Sequence, residues 1–97
     1  MIEYATRILA IRHGQTAWNV ATRIQGHSDI GLNETGRRQA ERLALALADE
    51  RLDAVYASDL QRAVDPARAL AAGAGLVVHG DAALRERHFG IFEGLTF

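Results

Sequence analysis

Arg12-His13-Gly14 closes the short apolar run Ile8-Leu9-Ala10-Ile11. A histidine beside a guanidinium, at the end of a strand-like run, is suited to attack phosphorus. A neutral imidazole nitrogen of His13 can enter in line with the leaving oxygen and form a phosphohistidine that a second step discharges. The tripeptide alone is weak evidence, because Arg and His meet often by chance. Asn19, Arg62 and Glu86 supply the other parts of one reaction. The planar forks of Arg12 and Arg62 match the equatorial oxygens of a transferring phosphoryl group. Asn19 adds a neutral amide donor, and Gly14 leaves room for backbone to approach the ligand. Glu86, after Leu84-Arg85, can protonate the leaving alkoxide and then take a proton from the attacking water. No metal ion is required by this scheme.

Those side chains converge only if the elements between them place them so. Ile8–Ile11 reads as a strand covered on both faces. From Gly14 to Gly31 the chain mixes Gly, Asn, Gln, Ser and Asp, and reads as a long functional loop. Asn33 is a cap for a helix to about Asp49, with Ala40, Leu43, Ala44 and Leu47 on its apolar face. A second strand is expected at Ala54–Ala57, and a second helix, capped by Ser58 or Asp59, to about Ala72. Gly73 and Gly75 end that helix, and Leu76–His79 is a third strand. Pro66 interrupts the second helix, where a proline costs about 3 kcal/mol, so a bend or early break after Arg62 is expected. Alternating strands and helices predict an α/β fold of three layers, a mainly parallel sheet with helices on both sides. Ligands of such sheets collect beyond the carboxyl ends of the strands, where Arg12, His13 and Arg62 all fall.

The bulk of the sequence narrows the classes. Ninety-seven residues make one small domain, and a net charge of −1 gives no bias toward nucleic acid or anionic lipid. No apolar stretch approaches the ~18 residues of a membrane helix, and Met1–Arg7 has no signal-peptide pattern. The absence of cysteine fits a reducing compartment, and a cytoplasmic location is expected.

Plainer readings compete for each residue. Arg12 and Arg62 could be surface ion-pair residues, Glu86 could be bridged to Arg85 or Arg87, and Asn19 could only shape a turn. Trp18 and His79 read as structural, and His27 and His88 as loop histidines near the pocket rim. The four histidines have no metal-ligand spacing. A Ser58/His13/Asp59 triad lacks the elbow that would present Ser58.

Five ordered blocks carry a resemblance: Arg12 to Thr16 with Asn19, Arg23 to Gly26, Leu32 to Gly36, Ala57 to Ala63, and Leu84 to Gly90 through Glu93-Gly94. Together they resemble the histidine phosphatase superfamily, in its phosphoglycerate mutase-like branch. The resemblance implies His13 as the phosphorylated nucleophile, Glu86 as proton donor, and Arg12, Asn19 and Arg62 as phosphate ligands, with Gln25 and Gly26 near the substrate. It also implies a second catalytic histidine, in another His-Gly motif on a strand of the family's C-terminal half. His27, His79 and His88 do not stand in that context. Residues 1–97 are therefore expected to be the N-terminal part of a single domain, apparently truncated, with the C-terminal half outside this chain. Family members usually have Thr where Pro66 stands. The expected activity is phosphomonoester hydrolysis on a small-molecule substrate, without a cofactor; Phe89 to Thr96 looks more like the phosphatases than the mutases. The alternatives are a phosphoglycerate mutase, which would need 2,3-bisphosphoglycerate, and a non-catalytic phosphate-binding fragment. Exposed sheet edges in so short a unit would favour a homo-oligomer.

Overall fold

The computed structural model describes residues 5–97. Residues 1–4, part of the stretch read for a signal peptide, lie outside them. In chain order the elements are α1 (Ala17–Val20), α2 (Glu34–Ala46), β1 (Val55–Ala57), α3 (Gln61–Ala74) and β2 (Val78–Gly80), with 3₁₀ turns at Ala82–Leu84 and Gly90–Phe92. β1 and β2 pair in parallel, Val55 opposite Val78 and Ala57 opposite Gly80. α3 is the crossover between them, as a parallel pair requires. It buries Ala67 and Ala71 against Val55 and Ala57, and α2 packs beside α3. Tyr56 points to the opposite, open face of the sheet, stacked on His79.

The helix boundaries have local causes. Asn33 caps α2, its side chain accepting the Gly36 N–H at 2.8 Å. α3 departs from expectation at both ends. Its cap position is Leu60, whose side chain has no acceptor, and the Gln61 N–H is taken instead by the Asp29 carboxylate at 2.8 Å, while Asp59 pairs with Arg85. It runs through Gly73 and stops at Gly75, whose φ of 70° is left-handed and suits glycine. Nor does Pro66 break it: the helix continues from Gln61 to Ala74 with Pro66 buried. Packing of that face against the sheet holds the turn that the missing donor would loosen.

Two further expectations fail. The stretch from Gly14 to Gly31 is not all loop, since Thr16 and Asn19 form a capping box that starts α1. Ile8–Ile11 is not a strand. It makes no ladder, and Ile8 is 82% exposed. A strand exists by virtue of its neighbours, and between residues 5–13 and β1 there is a cleft of about 1130 Å³. The sheet is accordingly two strands wide among the described residues, not three.

Candidate active site

The cleft has residues 5–13 as one wall, 51–58 as the other, and residues 84–86 at one end, with Arg62 and Pro66 of α3 lining it between. Arg12, His13, Arg62 and Glu86 thus face one space, although they come from three separate stretches of chain. Asn19, Gln25 and Gly26 lie outside its lining.

The backbone immediately after His13 orients its ring. The Nδ1 of His13 donates to the Gly14 carbonyl at 2.6 Å. A carbonyl accepts only a proton, so Nδ1 carries it and the lone pair of the neutral ring lies on Nε2. The next residues are anchored on α2: a Cβ on Gly14 would come within 2.6 Å of the Gly36 carbonyl oxygen, and one on Gly36 would overlap Gln15 O. The missing side chain of Gly14 therefore serves a crossing of loop over helix, which corrects its assignment to ligand approach. Gln15 adds three links, its N–H donating to Gln39 Oε1, its carbonyl accepting from Asn33 N and its Oε1 accepting from Asn33 Nδ2.

Asn19 serves the turn first. Its Oδ1 accepts the Thr16 N–H at 2.9 Å, while Thr16, fully buried, donates its hydroxyl to Gln25 Oε1 at 2.8 Å. Gln25 is thereby a brace between the α1 turn and the following loop. Gly26 has φ 59°, and a Cβ there would lie 2.8 Å from Arg87 O and 3.0 Å from Glu93 Cδ, so only glycine fits.

Arg62, in the first turn of α3, is 3% exposed. Its NH1 donates to Ser28 O at 2.6 Å and its NH2 to Gly26 O at 2.5 Å. Burial draws this guanidinium below its ordinary range, while the charges of Asp29, Glu86 and Glu93 oppose that shift. Arg12 is exposed on the facing wall. Glu86 is also exposed, with Oε1 accepting the Arg87 N–H at 2.8 Å. Arg85 does not bridge it. That side chain grips Asp59 through Nε at 2.6 Å and NH2 at 2.5 Å, a fork that pulls the Asp59 carboxyl below its usual value. The same pairing removes Asp59 from any triad with Ser58. Among the described residues no group of three or more His, Asp or Glu side chains could hold a metal ion.

Sequence reasoning missed Ser28 and Glu93 as parts of this site. Glu93 is nearly buried and accepts from both the backbone and the hydroxyl of Ser28. The partners are 65 positions apart, so no local spacing announces them.

Residues 8–97 match the model of the histidine phosphatase superfamily (branch 1), and the chain belongs to that family. Among curated relatives, phosphoglycerate mutase-like protein 4 of Arabidopsis thaliana is 47% identical over 99% of this chain and 42% of its own length. Glucosyl-3-phosphoglycerate phosphatase of Mycobacterium tuberculosis is 46% identical over 95% of this chain and 41% of its own length. A solved structure of the mycobacterial glucosyl-3-phosphoglycerate phosphatase, a complex with VO3, superposes with a TM-score of 0.83 at 46% identity, over 87% of this chain and 42% of that one. Phosphoserine phosphatase from Entamoeba histolytica, in complex with 3-phosphoglyceric acid, gives 0.79 at 38% identity, over 88% and 42%. The expected α/β fold of the phosphoglycerate mutase-like kind is therefore the fold of this chain. The chain spans about two fifths of the length of these relatives. No helix among the described residues is long and apolar enough to cross a membrane.

Proposed function

We propose that this chain supplies the nucleophile and phosphate-binding part of a phosphomonoester hydrolase that works through phosphohistidine. The observation that carries the reading is His13, with its Nε2 lone pair left open by the Nδ1 bond, in a cleft also lined by Arg12, Arg62 and Glu86. In the first step Nε2 attacks phosphorus and the ester P–O bond breaks, Glu86 giving its proton to the departing oxygen. In the second, water attacks phosphorus, the P–N bond breaks, and the Glu86 carboxylate takes the proton from water. Inorganic phosphate leaves and both residues return to their starting forms. Arg12 and Arg62 hold the equatorial oxygens through both steps.

Relatives more than twice as long support a division of labour. A further strand, seated in the cleft between residues 5–13 and β1, would bring the family's second catalytic histidine beside His13. The open edge of β1 and the unladdered apolar run Ile8–Ile11 suit such an insertion. On this reading residues 1–97 are the N-terminal part of one domain, and the cysteine-free composition favours work in the cytoplasm. The named substrates and bound acids of the relatives, glucosyl-3-phosphoglycerate, phosphoserine and 3-phosphoglyceric acid, are small carboxylated compounds with one phosphate ester. Carboxylated phosphomonoesters are therefore the first substrates to try.

The test is a panel of such esters, with and without 2,3-bisphosphoglycerate, on this chain and on any longer product that contains it. Hydrolysis without primer, with acid-labile label on His13 that His13→Ala abolishes, is the expected result. Turnover only with primer would point to a mutase. Phosphate binding without label or turnover would make the protein a non-catalytic binder.

A further inference from the structure

Arg62 is a buried cation whose hydrogen-bond partners are neutral. Both guanidinium nitrogens in contact donate to carbonyl oxygens, those of Ser28 and Gly26, and neither donates to a carboxylate. A directly paired carboxylate would lower the cost of burial but compete with any anion brought to the same fork. Neutral acceptors orient the fork and leave its charge available. The counter-charges stand further away, in Asp29, Glu86 and Glu93, and of these Glu93 is the one hydrogen-bonded to Ser28.

The Glu93 side chain is 8% exposed, and its Oε1 accepts the Ser28 N–H at 2.6 Å and the Ser28 Oγ–H at 2.5 Å. Its Oε2 lies 3.3 Å from His88 Nε2, and the His88 ring stacks on His27 at 4.6 Å. Around this point Ile24 N donates to Leu95 O at 2.9 Å and Gly94 N to Ile24 O at 2.8 Å. The loop of residues 24–28 is thus fastened to the segment 93–95 on one side and presents its carbonyls to α3 on the other. Glu93 is the charged member of that fastening.

We infer that Glu93 is a positioning residue for phosphate capture: by holding Ser28 it fixes the Ser28 and Gly26 carbonyls that aim Arg62 into the cleft. The phosphate part rests on the function proposed above; the positioning of Arg62 rests on geometry alone. Two readouts on the same protein keep them apart. Hydrogen exchange of the Arg62 guanidinium, followed by side-chain nitrogen NMR on this chain, reads the positioning. Titration with inorganic phosphate reads the consequence.

Glu93→Ala is expected to speed Arg62 exchange and weaken inorganic phosphate each by about tenfold, the scale of one lost charge-assisted hydrogen bond. Glu93→Gln, which keeps an acceptor for Ser28 N–H, should restore most of both. The phosphate effect of Glu93→Ala should vanish in an Arg62→Ala background, which a merely structural role would not produce. If Glu93→Ala does not fold, Ser28→Ala removes the hydroxyl bond alone and should show a smaller effect in the same direction. Unchanged Arg62 exchange in a folded Glu93→Ala or Ser28→Ala protein overturns the inference, as does an equal phosphate loss with and without Arg62. If exchange responds as expected but wild type binds no phosphate, the positioning stands and the phosphatase reading fails.

Discussion

At the residue scale, charge and tautomer do most of the work. His13 and Arg62 were legible because each follows an apolar run that ends where ligands collect, and the structure brings both to one cleft. Glu93 was not legible as part of the site, since its partner Ser28 is distant in sequence and the bond exists only after folding. The Glu93 carboxyl is lowered to about 2, chiefly by the Ser28 hydroxyl bond, helped by backbone N–H groups and opposed by burial. A lowered carboxyl stabilises the fold fully above its unfolded pKa, roughly 4.3 for Glu, and that contribution fades as pH falls toward the folded value. Urea midpoints should therefore drop between about pH 4.5 and 2, with Asp59, lowered by Arg85, contributing in the same direction. Glu93→Gln should flatten part of that acid limb. A second prediction concerns Arg62→Lys, which keeps the charge but not a planar fork that spans the Gly26 and Ser28 carbonyls. Leaving a buried carbonyl unpaired costs about 1–3 kcal/mol, so stability should fall by that amount in chemical denaturation. A midpoint equal to wild type would mean the carbonyls find other partners.

At the element scale, the regular structure that carries its own signal was readable and the rest was not. Asn33 as a cap, the stripe through Ala40 and Leu47, and the glycine stop after α3 are local patterns, and α2, α3, β1 and β2 lie within a few residues of where those patterns put them. The first strand was misread because a continuous apolar run describes what a segment can do, while a ladder also needs an adjacent edge. α1 was missed because its box uses Asn19 where Glu or Gln is the common choice. Two glycines give a matched test of how closely the elements approach. Gly36 sits in the first turn of α2 under the His13–Gln15 backbone, with no room for a Cβ. Gly36→Ala should cost at least about 1–3 kcal/mol by overpacking and displace His13 along with the loop. Gly73, inside α3 and without positive φ, has nothing within 4 Å of a built Cβ. There Gly→Ala should gain about 0.5–1 kcal/mol through helix propensity. Thermal melts of the two variants should move in opposite directions; an unchanged or raised midpoint for Gly36→Ala would refute the packing account of Gly36.

At the scale of the whole molecule, apolar surface exceeds what the buried core can cover. The core is made largely of small residues, Ala40, Ala57, Ala67 and Ala71 with Leu32, Val55 and Leu60, while Ile8, Ile91 and Phe97 are each more than 80% exposed. A compact domain of this length has a radius of gyration of about 12.5 Å. This chain has 14.9 Å and measures 53 × 26 × 20 Å, and its cleft separates the Ile8–Ile11 run from β1. An unpaired apolar run beside an open strand edge is a template for association. Sedimentation of this chain alone should therefore depend on its concentration, with Ile8→Lys shifting the equilibrium toward monomer. Amide exchange supplies the independent check: Leu9 and Ile11 should exchange nearly as fast as in an unfolded chain, while the α3 amides near Ala67 and Ala71 stay protected. Attachment of the strand proposed to fill the cleft should slow the first pair and leave the second unchanged. Protection of Leu9 and Ile11 in the isolated monomer would show that the run has found a partner within the chain, and the case for an inserted strand at that edge would be lost.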